Sequence, residues 1–267
     1  MLLAEGNIRK MRSQFGAPVT YALPLGQTQV DMNALIGQRV TLTYTGVINC
    51  KVCGKKIPKV YGQGFCYPDF MNSPENSPCI INPEKCEGHL GIGRDVAWEQ
   101  ENHVQPHTVY LALTTAVKVG VTRTTQIPTR WIDQGAWKAI RLAETPYRQL
   151  AGEIEVTLKE FLADKTPWQA MLKGERAEGV DLLAEKARIG ALLPESLQAY
   201  FSPHDEVTEI NYPVNAYPAK VKSLNFDTEP VVGGTLNGIR GQYLLFDGDR
   251  VINLRSFEGY YVRVEAD

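Results

Sequence analysis

The sequence predicts an α+β protein, in which β-strands from both ends of the chain flank a cysteine-rich segment and a mixed segment of strands and helices. Residues 17–49, punctuated by Gly and Pro, and residues 218–267, with Asn-Gly and Asp-Gly turn signals, both alternate apolar and polar residues, as half-buried strands do. All five cysteines lie between positions 50 and 86. Residues 107–163 combine strand-like and helix-like periodicity.

The composition is that of an ordinary globular protein. The 267 residues are 43% hydrophobic and 22% charged, which argues against a disordered, collagen-like or membrane chain. The 28 basic and 30 acidic residues give a formal charge of −2, which excludes a uniformly basic nucleic-acid coat but allows a local basic patch. The N-terminus lacks a secretory signal pattern and no apolar run reaches a membrane span of ~18 residues, so we expect a cytoplasmic protein without a membrane partner.

Since both ends of the chain are β-rich, they are expected to pack together as one discontinuous β-domain. The predicted organisation has four parts, which follow from the changes in composition along the chain. They are a β-rich domain from residues 1–49 plus 211–267, a zinc-binding segment at 50–98, an α+β module at 99–165 and a helical connector at 166–210.

The cysteine segment predicts a structural zinc site. An irregular stretch of this length needs something to hold it together, and clustered thiols in a reducing compartment favour a metal over disulfides. Cys50-x2-Cys53-Gly54 is a knuckle that brings two thiolates to one ion, and zinc takes four ligands in a tetrahedron. Two further ligands are expected from a set of four: Cys66, Cys79, Cys86 and His89.

Several alternatives remain open for this segment. Cys86-x2-His89 could form a second knuckle, although six candidates fall short of two full sites. Asp69 stands at Cys66-x2-Asp69, where a fourth thiolate would otherwise be expected. Buried free thiols without a metal are the remaining interpretation.

The middle segment predicts a hairpin followed by two helices and a strand between them. TVYLAL and AVKVGV are β-rich and joined by a hairpin-sized connection at 113–116. Residues 127–143 begin as a helix, break at Gly135 and end in the strand KAIRLAET. Residues 147–163 are an amphipathic helix, and 166–201 contain two or three short helices.

Two family resemblances are carried by these residues. The order VYLAL, VKVG, an arginine about ten residues on and a helix with a glutamate resembles the GIY-YIG nuclease module over about residues 107–163. Over most of its length the chain resembles the bacterial family called domain of unknown function 2797, through CKVCGKK, QGFCYPDF, VKVGVTR, IPTRWIDQGA and NGIRGQYLLFD. This second resemblance implies relationship and no particular activity.

The GIY-YIG resemblance implies a small antiparallel sheet with flanking helices and a set of catalytic residues. Tyr110 matches the first motif tyrosine, and Lys118 stands where the second motif has tyrosine. Arg130 matches the motif arginine. The metal-binding glutamate is best matched by Glu155, with Glu153 as the alternative.

These residue types suit phosphodiester hydrolysis. Arg130 would bind phosphate oxygens bidentately, and Glu155 would hold a Mg²⁺ ion. Tyr110 could act as general base only if its pKa fell well below ~10, which a nearby Lys118 ammonium would favour; Lys118 could instead contact the phosphate. Residues 107–150 carry six basic and two acidic side chains, a local excess of positive charge that suits phosphate. Substrate contacts are expected from Arg123, Trp131 and Arg148.

The sequence therefore predicts a Mg²⁺-dependent, endonuclease-like phosphodiesterase acting on DNA or RNA, with a structural zinc site. One alternative is a non-catalytic, zinc-containing protein that binds nucleic acid. A second is a protein-interaction module. Tyr110, Arg130 and Glu155 should converge if the enzyme hypothesis holds.

Overall fold

The computed structural model describes residues 1–162 and 167–267, so the predicted boundary at 165/166 between module and connector lies outside the described residues. The strands are β1 (Leu2–Asn7), β2 (Arg12–Gln14), β3 (Thr20–Leu25), β4 (Thr28–Asp31), β5 (Arg39–Ile48), β6 (His107–Leu113), β7 (Val117–Arg123), β8 (Lys138–Thr145), β9 (Thr208–Glu209), β10 (Lys222–Ser223), β11 (Val231–Arg240), β12 (Tyr243–Phe246), β13 (Arg250–Asn253) and β14 (Tyr260–Ala266). The helices are α1 (Tyr67–Asn72), α2 (Val96–His103), α3 (Thr129–Asp133), α4 (Arg148–Lys159), α5 (Trp168–Leu172), α6 (Leu182–Gly190) and α7 (Glu195–Gln198).

The largest sheet joins the two ends of the chain. Its seven strands run in the order β1-β14-β5-β11-β12-β13-β10, and β5 pairs antiparallel with both β14 and β11. Inward-facing residues such as Leu42, Val232 and Val262 are fully buried, which accounts for the alternation in the sequence. Strands β2, β3 and β4 form a separate small sheet. Several sheets with few helices confirm the predicted α+β class.

The second principal sheet has the order β7-β6-β8-β9. Strand β6 is buried along its whole length because both of its faces are covered. Val109 and Leu111 pack in one core with the apolar face of α4, while Tyr110 and Ala112 belong to the core that this sheet shares with the seven-stranded sheet. The predicted hairpin and the predicted strand KAIRLAET are confirmed.

The helices around this sheet follow the sequence pattern. Helix α4 buries Leu150, Ile154 and Leu158, which confirms the predicted amphipathic helix. Gly135 adopts a positive φ of 72° directly after α3, and this conformation lets the chain turn into β8. No helix in the described part of the chain combines the length and the apolar character that crossing a bilayer requires.

The segment between β5 and β6 has little regular structure. It consists of α1, α2 and short 3-10 turns, linked by local backbone hydrogen bonds and single bridges such as Asn49 to Lys56. Position 98, the predicted end of the cysteine segment, lies inside α2. The shape of this segment therefore depends on its side-chain clusters.

Candidate functional site

Four side chains at the end of β5 and the start of α1 form the first candidate metal centre, here called the Cys50 group: Cys50, Cys53, Cys66 and Asp69. The four ligand atoms lie within 4.8 Å of one another. The sulfurs of Cys53 and Cys66 are 3.8 Å apart, and Asp69 Oδ2 is 3.0 Å from the sulfur of Cys50. Ligands at about 2.0–2.3 Å from a tetrahedral ion stand about 3.3–3.8 Å apart, so the Cys50 group could hold a metal such as zinc.

The local sequence explains how this group is built. Gly54 has a φ of 72°, and its N–H donates to the Cys50 carbonyl at 3.0 Å, which closes the predicted knuckle. Cys66 is the N-cap residue of α1, so Asp69 follows it in the first helical turn. Hydrogen bonds from the thiol of Cys50, and then from those of Cys53 and Cys66, lower the pKa of Asp69 to about 2.

A second candidate metal centre, here called the Cys79 group, joins the turns after α1 to helix α2: Cys79, Cys86, Glu99 and His103. Its four ligand atoms also lie within 4.8 Å of one another, and all four residues are buried. His103 Nδ1 is 3.4 Å from the sulfur of Cys86 and 3.8 Å from that of Cys79. It also contacts Glu99 Oε2.

The two thiols of the Cys79 group differ in acidity. A hydrogen bond from the Cys79 thiol is the largest cause that lowers the pKa of Cys86 to about 4. The same hydrogen bond raises the pKa of Cys79. Cys86 is therefore a thiolate at neutral pH, the form in which cysteine binds metals.

The single predicted zinc site is thus replaced by two groups, which divide the five cysteines three and two. His89 lies outside both groups, and its ring stacks on Tyr147 with centroids 4.6 Å apart. Sequence reasoning missed Glu99 and His103 as candidate ligands. Their spacing of four residues on one helix, close behind Cys86, is the signal that could have revealed them.

The predicted catalytic residues lie on the four-stranded sheet and its helices. Tyr110 in β6 pairs with Gly120 in β7. A Cβ at Gly120 would stand 2.6 Å from the Tyr110 hydroxyl oxygen, so the ring requires glycine at this position. Lys118 pairs with Ala112 in the same register, which places it on the same face of the sheet as Tyr110.

Helix α3 covers Tyr110. The Tyr110 hydroxyl donates to Gln134 Oε1 at 2.9 Å, and the ring meets Trp131 edge-on at 6.0 Å. Trp131 is only 2% exposed. The prediction that Trp131 contacts substrate is therefore wrong, because a buried indole cannot stack on a nucleotide base.

The charges of Arg130 and Glu155 both influence the pKa of Tyr110, and the net shift bears on its predicted role as general base. Burial raises the pKa of Tyr110; the Arg130 guanidinium opposes this shift and the Glu155 carboxylate adds to it. Arg130 and Glu155 therefore both act on the same hydroxyl, although they come from α3 and α4. The general-base role needs a lowered pKa, and the structure gives the opposite direction.

Glu155 is the more enclosed of the two glutamates considered on α4. Its side chain is 12% exposed, and burial raises its pKa. Lys159 Nζ lies 3.7 Å from its carboxylate. Glu153, the alternative, is exposed and accepts a hydrogen bond from Gln149 at 2.6 Å.

Two arginines predicted to contact substrate bind protein groups. Arg148 donates from Nε and Nη2 to the Cys79 carbonyl at 3.1 and 2.9 Å, and from Nη2 to the Ile80 carbonyl at 3.0 Å. Arg148 therefore links α4 to the Cys79 group, and its predicted substrate contact stays a prediction. Arg123 donates to Asn102 Oδ1 at 2.5 Å.

Comparison with known proteins places the chain in a family. Residues 37–262 match the family model described as "Protein of unknown function (DUF2797)". Neither curated proteins nor solved structures gave a match. Since the family model covers most of the chain, this protein belongs to the DUF2797 family.

Proposed function

We propose that this protein is a Mg²⁺-dependent phosphodiesterase of the GIY-YIG type that acts on nucleic acid, with a structural zinc ion in the Cys50 group. The observation that carries the proposal is that the Arg130 and Glu155 charges both influence the pKa of the Tyr110 hydroxyl, in opposite directions. Three separate elements, β6, α3 and α4, supply these side chains. A cation that can bind phosphate and a carboxylate that can hold a metal, both influencing one polar hydroxyl, are the kinds of group that phosphodiester hydrolysis uses.

Arg130 is the residue assigned to the phosphate. Within the described residues it forms no salt bridge with a carboxylate, whereas Arg141 pairs with Glu144 at 2.9 Å. A guanidinium without a carboxylate partner can bind two phosphate oxygens. Lys118, on the Tyr110 face of the sheet, is the second cation assigned to the phosphate.

Tyr110 is assigned a positioning role, because burial keeps its hydroxyl protonated. A neutral hydroxyl can donate a hydrogen bond and accept another. Its present acceptor is Gln134, which ties α3 to β6. Tyr110 therefore holds α3, the helix that carries Arg130, against the sheet.

The residues around Glu155 suit Mg²⁺. Glu84 lies close enough to raise the pKa of Glu155 further, so two carboxylates share this part of the protein. Mg²⁺ is commonly held by one or two carboxylates together with water and substrate phosphate. A bound Mg²⁺ supplies Lewis acidity toward the phosphate. Glu155, assisted by Glu84, is the residue assigned to hold it.

The zinc proposal rests on the donor set of the Cys50 group. Three sulfurs and one carboxylate oxygen suit zinc, and the 3.8 Å sulfur–sulfur distance equals a tetrahedral edge and far exceeds a disulfide bond. Four protein ligands leave no open coordination position. The ion therefore has a structural role.

A nuclease assay tests the enzyme proposal. Wild type, Glu155→Gln and Glu153→Gln are incubated with single- and double-stranded DNA and RNA, with and without Mg²⁺. We expect Mg²⁺-dependent cleavage by wild type and by Glu153→Gln, and a loss of about 100-fold or more in Glu155→Gln, because transition-state charge stabilisation is removed. Absence of metal-dependent cleavage of all four substrates by wild type rejects the proposal.

A second candidate function is non-catalytic nucleic-acid binding. The raised pKa of Tyr110 and its hydrogen bond to Gln134 favour it, because both suit a structural tyrosine. Binding that weakens with salt and with Arg130→Gln, without cleavage, would support this function. Absence of both binding and cleavage would favour a protein-interaction module.

A further inference from the structure

We propose that the Cys79 group is a second zinc site, fully enclosed by protein, which fixes the turns at residues 78–86 against helix α4. This site is separate from the knuckle that the sequence reveals. It does not depend on the proposed nuclease activity, since a protein without that activity would bind the ion equally well.

Two ligand-atom distances in the group match tetrahedral coordination, whereas Glu99 Oε2 contacts His103 Nδ1 more closely than a tetrahedral edge, so these two side chains must separate when an ion binds. The two distances from His103 Nδ1 to sulfur, 3.4 and 3.8 Å, fall in the range of about 3.3–3.8 Å that separates ligands on a tetrahedral zinc ion. Two sulfurs, one imidazole nitrogen and one carboxylate oxygen are donors that zinc accepts. Two turns and one helix supply the ligands, so the tertiary fold brings the four side chains together.

Burial and charge give a second argument. Glu99 is 2% exposed, and its Oε2 contacts His103 Nδ1, another ligand atom of the group, but makes no hydrogen bond within the described residues. A buried carboxylate needs a compensating charge. Two thiolates and one carboxylate carry three negative charges, while a zinc ion and the Arg148 guanidinium on the Cys79 carbonyl supply three positive charges.

The position of the group gives it a structural role. Four buried protein ligands leave no place for substrate, so this is a closed centre. The turn at 83–85 lies directly against α4, where a Cβ at Gly152 would collide with the backbone of Pro83 and Glu84. Arg148, one turn earlier on the helix, binds the carbonyls of Cys79 and Ile80. The ion therefore supports the helix that carries Glu155.

Metal analysis by emission spectrometry tests the inference on full-length protein expressed with added zinc. We expect two equivalents of zinc in wild type, one in Cys86→Ser, one in Cys53→Ser and none in the double variant. His89→Gln is the matched control, because this histidine lies in the same segment outside both groups, and it should retain two. One equivalent in wild type, or two in a folded Cys86→Ser protein, overturns the inference.

A spectroscopic variant covers the case in which Cys86→Ser does not fold. His103→Cys keeps a metal ligand at its position, so the protein should retain two equivalents. After exchange of zinc for Co²⁺, the thiolate-to-metal charge-transfer absorption of His103→Cys should exceed that of wild type, because one more sulfur binds the ion. An unchanged absorption in His103→Cys would show that residue 103 is not a ligand and would overturn the inference.

Discussion

The two cysteine groups differ in how the protein encloses them. The Cys50 group lies at the end of β5 with Cys53 exposed, and its ligands come from a knuckle and the first turn of a short helix. The Cys79 group is buried, and α2 supplies half of its ligands. The first group has an exposed ligand in Cys53, whereas the second is continuous with the packing of α4. Although the two groups have similar donor atoms, loss of a ligand should therefore affect the stability of the protein differently in each group.

The largest expected difference is in stability. Cys86→Ser should lower the free energy of unfolding by about 3–5 kcal/mol, because loss of the ion leaves the buried Glu99 carboxylate without a compensating charge. Cys53→Ser should lower it by less than half as much, because local opening at an exposed site need not unfold the remainder. Urea unfolding measures both values. Equal losses would show that the two groups are equivalent.

Acid should destabilise the buried region through His107 as well as through the metal ligands. Burial lowers the pKa of His107 to about 4, against about 6.5 for a free histidine. Between these values the unfolded chain binds more protons, so the free energy of unfolding falls as the pH falls from about 6.5 to about 4, by about 3 kcal/mol. His107→Gln should flatten this part of the stability curve. If the free energy of unfolding of His107→Gln falls with pH as steeply as that of wild type, groups other than His107 cause the acid sensitivity.

The contact between α4 and the Cys79 group should tolerate no added atom. Gly152→Ala places a methyl group on the backbone of Pro83 and Glu84, and such overpacking costs about 1–3 kcal/mol. Val156→Ala, on the exposed side of the same helix, is the control and should change stability by less than about 0.5 kcal/mol. Thermal unfolding compares them. A Gly152→Ala protein as stable as the control would disprove the close contact.

The smallest expected effect is kinetic. A chelator should remove metal from the Cys50 group first, because one of its sulfurs is exposed, and from the Cys79 group only after local opening. An opening cost of about 1.4 kcal/mol slows release about tenfold. A colorimetric zinc indicator should therefore show two phases in wild type. The fast phase should be missing in Cys53→Ser, and a single phase in wild type would contradict the difference in enclosure.

The sequence predicted the elements whose patterns are local. The hairpin of β6 and β7, the break at Gly135 and the helix α4 each follow from a short run of residues whose periodicity or turn chemistry is decisive. The knuckle at Cys50 is equally local. Its position could therefore be predicted without knowing what packs against it.

The Cys79 group could not be predicted in the same way. The spacing of Cys86 and His89 resembles a knuckle, yet the turn at Gly88–Leu90 directs His89 onto Tyr147. The Cys79 group also includes Glu99 and His103, both on α2. Their part in the group depends on where α2 begins and on which face of α2 packs against the turns. Trp131 was similarly misjudged because its burial depends on contact between distant segments.

The seven-stranded sheet has a consequence for synthesis on the ribosome. Strand β5 hydrogen-bonds to β11 and β14, which begin at Val231 and Tyr260, so both of its edges stay unpaired until nearly the whole chain has been made. The cysteine segment and the four-stranded sheet emerge long before that point. The knuckle begins two residues after β5. Metal binding by the knuckle during synthesis would fold the segment next to β5 while β5 is still unpaired.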